Sequence, residues 1–405
     1  MDDILGVTEA NFKAQQMNGF LNVRSADKTL QFGPSKCKTM FVGRKGALDL
    51  SGTLSVDNWD TNYVDKDHTG KYDLVESFSG QIDMENVNEW KYLGFMISNS
   101  DSNISNIRYI KNKSIGTTRN ILHRLNNLHL KRYFFEVGII FKNIILRTSI
   151  LYGSETYYNL TENETRQLER IEESYLRQLL STPRSCPIVQ IYLELGQYPA
   201  RYEIKKLKLL FLKYILNQPE NSTIYKFLQV QINNKTIKGD FASTCLNDLR
   251  LLRVNLSLEE IKIMKINQFK NILKSQIEKE SFQYLLEKRK SKGSEVQYDS
   301  LQMSEYLLPN NYLNIDDQKL IFSLRNKMLM LYNDSYHKTE LCICLKQEDY
   351  KHIYECQHLN KTHIVIEYDK IYNGSVKEQK VIVNRMRENL RIRKIMKDDI
   401  SRRST

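Results

Sequence analysis

Residues 91–98, KYLGFMIS, separate two parts of the chain that differ in charge and in hydrophobic pattern. Residues 1–100 carry 10 Lys+Arg against 14 Asp+Glu, with the alternating apolar and polar runs typical of strands. The remainder carries 50 Lys+Arg against 34 Asp+Glu, in long segments with helical periodicity. We therefore expect an α+β chain in which a small, acidic, strand-rich part precedes a basic, mostly helical part.

Composition indicates a folded protein with a polyanionic partner. The chain has 405 residues, of which 41% are hydrophobic, enough for two or three domains with buried cores. The net charge of +12, concentrated after residue 100, favours nucleic acid as the partner, although solvated lysines on helix surfaces would give the same total. Six cysteines are too few for a disulfide scaffold, so we expect an intracellular protein, nuclear or cytoplasmic.

The sequence predicts neither secretion nor insertion into a membrane. Its first residues are acidic, whereas a secretory signal begins with basic ones. Apolar runs such as 134–141 and 207–216 are interrupted by charged residues, and none approaches the ~20 apolar residues that span a bilayer. We expect no membrane partner, and the pattern does not indicate an oligomeric state.

Local signals divide the chain into four regions. Residues 44–88 contain short alternating runs between turn residues and predict one or two surface hairpins. Weak periodicity at 218–256 predicts a joint between helical regions. The expected regions are 1–100 with the strands, 101–218 and 219–335 with helices, and 336–405 with a cysteine cluster and a basic helix.

Several helix boundaries can be predicted from capping residues. A helix over 131–152 is apolar around much of its circumference and should be central to a bundle, ending at Gly153. Three Ser/Thr-x-x-Glu capping boxes predict helix starts. They lie at Thr161-x-x-Glu164, Ser257-x-x-Glu260 and Ser375-x-x-Glu378.

Two groups of charged residues are candidate binding sites. Asp2 and Asp3 are adjacent carboxylates that could hold divalent cations for phosphoryl transfer, although the same dipeptide occurs elsewhere and an acidic chain end is the simpler explanation. Arg201, Lys205 and Lys208 lie at i, i+4 and i+7 of a predicted helix and would form one basic ridge. Such a ridge could follow phosphates or be an ordinary solvated face.

A cysteine and histidine cluster predicts a zinc site. Cys342-x-Cys344-x7-His352-x3-Cys356 offers three thiolates and an imidazole, which can complete a tetrahedral shell. The single residue between the first two cysteines is shorter than in most zinc knuckles, and His358 is a possible substitute ligand. The alternative is a set of reduced cysteines packed in a small core.

The order of these motifs resembles a known protein family. DDILG, then PSKCKTMFVG, then KYLGFMIS are similar to the later palm motifs of reverse transcriptases from retrotransposons that lack long terminal repeats. ILYGSETYY and the helical segment that begins ERIEESYLRQLL resemble the thumb and post-thumb region. The cysteine cluster lies where many of these RNA-directed DNA polymerases carry a zinc-knuckle-like motif.

The resemblance implies roles for particular residues. Asp2 and Asp3 would bind Mg²⁺ in the catalytic hairpin, if the palm were completed. Lys38 would match the lysine proposed to protonate pyrophosphate in this nucleotidyltransferase reaction. Tyr92, Leu93 and Gly94 would form the primer-grip hairpin.

The resemblance also implies what this sequence lacks. In the family, the first palm motif and the fingers precede the Asp-Asp pair. We therefore expect a truncated reverse transcriptase that binds a template–primer duplex without polymerase activity of its own. A co-opted non-catalytic nucleic-acid-binding module and a helical protein–protein adaptor are the alternatives.

Overall fold

In the computed structural model, short strand pairs come first and helices occupy most of the rest. Contacts divide the chain into two units, Met1–Tyr109 and Ile110–Thr405. The residues that the structure describes are 38–40, 55–64, 73–83, 85–98, 103–128, 131–157, 159–233, 239–290, 296–328, 342, 344, 346, 349–364 and 366–403.

In the described residues of the first unit, the strands form three pairs. Its strands are β1 (Lys38–Thr39), β2 (Ser55–Val64), β3 (Asp73–Asp83), β4 (Glu85–Asn86), β5 (Glu89–Tyr92) and β6 (Phe95–Ser98). The pairs β2–β3 and β5–β6 are antiparallel, whereas β1 and β4 pair in parallel. The hairpin predicted within residues 44–88 is thus confirmed as β2–β3. The α+β class is confirmed at this coarse level.

The motif KYLGFMIS forms a tight hairpin. Tyr92 pairs with Phe95, so Leu93 and Gly94 make a two-residue turn between β5 and β6. Both turn residues have positive φ, 46° and 84°, as a type I′ turn requires. Glycine adopts positive φ without steric cost. Leu93 has a Cβ and adopts positive φ at a steric cost, and its side chain is 58% exposed.

Helices fill the described part of the chain from residue 104 onward. They are α1 (Ile104–Asn127), α2 (Phe134–Phe141), α3 (Arg147–Ile150), α4 (Glu162–Leu179), α5 (Ile188–Glu194), α6 (Ala200–Leu216), α7 (Thr223–Asn233), α8 (Phe241–Leu251), α9 (Leu258–Ile263), α10 (Ile266–Lys290), α11 (Ile315–Arg325), α12 (Tyr350–Glu355), α13 (Lys370–Asn373) and α14 (Val376–Arg403). A π-helical segment, Lys142–Leu146, joins α2 to α3. Among the described residues, no helix combines the length and apolar character that a membrane span requires.

The predicted capping signals are correct. The Thr161–Glu164 and Ser257–Glu260 boxes form reciprocal hydrogen bonds at the starts of α4 and α9. At the start of α14, the Glu378 carboxylate accepts from Ser375 N–H, and Glu378 N–H donates to the Ser375 hydroxyl. Gly153 ends the preceding helical segment with φ 74°. Each of these features depends on residues that are close together in the sequence, so the local sequence specifies it.

Two expectations about the helices are wrong. The predicted joint at 218–256 contains α7 and α8, which pack with α6, α9 and α10 around one hydrophobic core that includes Leu209, Cys245 and Phe269. The segment 131–152 is not buried on all sides, because Ile140 and Ile144 are 46% and 64% exposed.

A buried ion cluster fixes the middle of the helical unit. Glu172 of α4 accepts from Lys142 at 2.9 Å and from Arg147 at 2.8 Å, and all three side chains are at least nine-tenths buried. Lys142 also donates to the side-chain carbonyl of Gln197 at 2.7 Å, and Arg147 donates to the Tyr198 carbonyl at 2.9 Å. Burial alone would raise the pKa of Glu172, but the two adjacent cations outweigh it and lower the pKa to about 2.

Candidate metal centre and nucleic-acid interface

The four predicted zinc ligands come together. The Sγ atoms of Cys342, Cys344 and Cys356 and a ring nitrogen of His352 all lie within 4.8 Å of one another. Cys342 Sγ is 3.5 Å from Cys356 Sγ, Cys356 Sγ is 3.9 Å from Cys344 Sγ, and Cys344 Sγ is 3.2 Å from His352 Nε2. Zn–S bonds of about 2.3 Å imply tetrahedral edges of about 3.8 Å, so this donor set fits a zinc ion.

Local backbone geometry brings the ligands together. The Cys342 N–H donates to the Lys346 carbonyl at 2.8 Å and closes a turn around Cys344. His352 lies on α12 and Cys356 caps its end, one helical turn away. The single-residue spacer therefore does not prevent the two thiols from facing one site. The predicted substitute His358 is exposed and lies outside the four-ligand group.

The protonation state of the thiols differs between the metal-free site and a metal-bound one. Burial raises the pKa of the Cys342 thiol to about 12, so without a metal ion this group stays protonated at neutral pH. At Cys344 burial acts in the same direction, but hydrogen bonds from the Lys346 N–H and the other thiols outweigh it and lower the pKa. A zinc ion would hold all three sulfurs as thiolates.

Helix α14 holds α12, which carries His352, in place. Asn389 is fully buried, and its amide donates to the Ile353 and Tyr354 carbonyls at 2.7 and 3.1 Å. Arg385 Nε donates to the same Tyr354 carbonyl at 2.8 Å. These carbonyls close the last turn of α12, immediately before Cys356, and would otherwise be orphaned at the helix end.

We predict that Asn389→Ala lowers the free energy of unfolding by about 1–3 kcal/mol, because it removes the side-chain donor from the Ile353 carbonyl and leaves the Tyr354 carbonyl with Arg385 alone. Chemical denaturation measures the change. The control is Asn384→Ala on the exposed side of the same helix, which should leave stability nearly unchanged. Equal effects at both positions would show that the hydrogen bonds from Asn389 to α12 contribute nothing to stability.

The predicted basic ridge is neutralised by carboxylates. Arg201 binds Glu169 at 2.6 Å and Glu162 at 2.9 Å, and it also lies over the ring of Tyr284. The other two cations, Lys205 and Lys208, approach the carboxylate of Asp248 at 3.5 and 2.7 Å. These side chains therefore join helices to one another, and they do not form a free ridge for phosphates.

The basic residues of helix α1, unlike those of the predicted ridge, have no carboxylate partners among the described residues. No acidic residue occurs anywhere in this 24-residue helix. Its basic side chains project into solvent over about 20 Å of helix, and none forms an ion pair with another described residue. We call Lys111, Lys113, Arg119 and Arg124, which are distributed around the exposed part of the helix circumference, the α1 basic face. The absence of acidic residues from 104 to 127 was the sequence signal for it.

The remaining predicted site residues belong to the first unit. Tyr92, Leu93 and Gly94 form the β5–β6 turn described above. Lys38 lies in β1, for which the structure describes only the backbone and its pairing with Glu85. Asp2 and Asp3 lie outside the described residues.

Comparison with known proteins does not assign a family. No protein-family model, curated protein or solved structure matches this chain. The features that bear on its function are therefore the candidate metal centre and the α1 basic face.

Proposed function

We propose that this chain binds nucleic acid through the α1 basic face and that a zinc ion stabilises its C-terminal region. The observation that supports the proposal is that one set of cations is paired with carboxylates and another is not. Arg201 and Lys208 are engaged by carboxylates, whereas the α1 basic face has no acidic neighbours on its own helix. Uncompensated lysines and arginines along a helix contact phosphates at low desolvation cost.

The same proposal includes a relationship to reverse transcriptases of non-LTR retrotransposons. Its support is the order of the motifs along the chain, together with the tight β5–β6 turn formed by the motif that resembles the primer grip. A primer grip needs a rigid turn that presents its tip, and Leu93 is exposed there. Polymerase activity is not part of the proposal, which concerns binding alone.

The protein–protein adaptor is the competing function, and one observation favours it. Helix α7 exposes a row of apolar side chains at i, i+3 and i+6. Ile224, Phe227 and Val230 are 38%, 66% and 61% exposed. A row of this kind is typical of a helix that docks on a partner. Binding through it would depend little on salt, whereas binding to phosphates would depend on it strongly.

Neutralising the α1 basic face should weaken duplex binding by on the order of tenfold or more, because each cation that binds a phosphate releases counterions and glutamine does not. The variant combines Lys111→Gln, Lys113→Gln, Arg119→Gln and Arg124→Gln. Fluorescence anisotropy with a labelled duplex gives the dissociation constant. Circular dichroism verifies the fold.

A control variant loses the same charge on another helical surface. It combines Lys265→Gln with Lys270→Gln, Lys274→Gln and Lys279→Gln, all exposed on or beside α10. Affinity should change little in this variant. Equal losses in the two variants would show that net charge alone, and no particular face, governs binding.

A further inference from the structure

An open polar groove lies at the end of the α1 basic face. It has a volume of about 640 Å³. Asn126 of α1, Lys131 and Arg132 line it, together with residues of the loop before α11. Such a volume lies within the range of small-ligand sites and accommodates about one nucleotide. The groove therefore continues the basic surface along the chain.

The charge of the groove is positive where solvent reaches it. Lys131 and Arg132 are exposed at its rim. Of its two acidic residues, Asp317 is fully buried and is bound by Lys380 at 2.6 Å and Arg387 at 2.5 Å. Its charge is thus compensated from α14, and Asp316 is the acidic side chain of the lining that reaches solvent.

A partly exposed aromatic ring lines the groove. Tyr312 is 48% exposed, and Lys377 Nζ lies 5.1 Å from its ring centroid. Two hydrogen bonds hold the backbone around it, because the Asn310 side-chain carbonyl accepts from the N–H groups of Tyr312 and Leu313 at 3.1 and 2.7 Å. Leu313 is buried and anchors the turn. An exposed ring on a fixed backbone is a preorganised surface for stacking.

Exposed amides complete the set of groups. Asn126 and Asn311 line the groove, and an asparagine amide can both donate to and accept from a base edge. Cations for phosphates, an aromatic ring for a base face and amides for a base edge together match an unpaired nucleotide. A duplex keeps its bases stacked inside and would leave the ring unused.

We propose that this groove binds an unpaired nucleotide where a single strand leaves the duplex on the α1 basic face. The proposal rests on the function proposed above and adds the form of nucleic acid that the chain prefers. Tyr312 stacks on the base, and Lys131 and Arg132 contact the flanking phosphates. RNA and DNA strands share this chemistry, since both present a base face and a phosphate.

The test compares a blunt duplex with the same duplex carrying a short single-stranded overhang, in RNA and DNA versions, by anisotropy with the full chain. The overhang should tighten binding on the order of tenfold, the range that one stacked base provides. Tyr312→Ala should remove this gain, and Tyr312→Phe should keep it. Tyr214→Ala serves as the control, because Tyr214 is similarly exposed, at 56%, and lies on α6 outside the groove lining.

The outcomes separate the two proposals. A blunt duplex that binds as tightly as the overhang duplex, or a gain that survives Tyr312→Ala, overturns the groove and leaves duplex binding intact. If the chain binds none of these probes, the proposed function is overturned, and the proposed groove with it. A gain with only one type of overhang supports the groove and identifies that strand as its ligand.

Discussion

Replacing Cys344 and Cys356 together by serine should reduce the zinc content from about one ion per chain to none. The change removes two of the three sulfur donors and leaves Cys342 and His352, which cannot complete a tetrahedral shell. Elemental analysis of protein purified without added metal measures the content. Cobalt substitution gives a second readout, because thiolate–cobalt charge transfer appears in the wild type and should be lost in the variant.

Two other buried cysteines provide the control for this experiment. Cys245 lies in the core around α6 and Cys186 follows α4, both outside the four-ligand group. Cys186→Ala and Cys245→Ala should keep the metal even where they lower stability. Zinc-free wild-type protein, or a double serine variant that retains its zinc, would contradict the metal centre.

Replacing Glu172 by alanine should lower the free energy of unfolding by about 3–5 kcal/mol. The variant leaves Lys142 and Arg147 buried without the carboxylate that compensates both charges. Urea denaturation monitored by circular dichroism measures the change. Glu162→Ala is the control, because this carboxylate is 70% exposed and its pair with Arg201 is screened by water. Its loss should cost less than about 1 kcal/mol.

The same pair of variants makes a prediction about pH. The pKa of Glu172 falls from 4.5 to about 2 on folding, so the unfolded chain binds more protons between these values. The stability that Glu172 contributes is therefore present above pH 4.5 and is lost as the pH falls toward 2. In Glu172→Ala, unfolding should depend less steeply on pH in this window, while Glu162→Ala should keep the wild-type profile. Parallel profiles in all three proteins would contradict the buried cluster.

Sequence patterns predicted features whose partners lie within a few residues. The Thr161 capping box, the Gly153 stop and the cysteine cluster each depend on groups close along the chain, and the structure has all of them. The hairpin turn at Leu93 and Gly94 is likewise local.

Features that depend on distant partners were not predictable in this way. Helix α9 ends at Ile263, because Lys213 of α6 donates to the Ile261 and Met264 carbonyls at the end of the helix. The capping box at Ser257 predicts where this helix starts, but no residue nearby in the sequence predicts where it ends. The ion pairs of the predicted basic ridge could not be seen in the sequence for the same reason. Glu169, the partner of Arg201, lies 32 residues away in the chain.

The most direct test of the account is the salt dependence of duplex binding. If the four cations of the α1 basic face contact phosphates, log K against log salt should have a slope on the order of −3 to −4 or steeper. The glutamine variant of this face should give a slope closer to zero by about one unit for each phosphate that it no longer binds, and the α10 control variant should keep the wild-type slope. A flat dependence for the wild type, or the same slope in all three proteins, would contradict the claim that α1 binds nucleic acid.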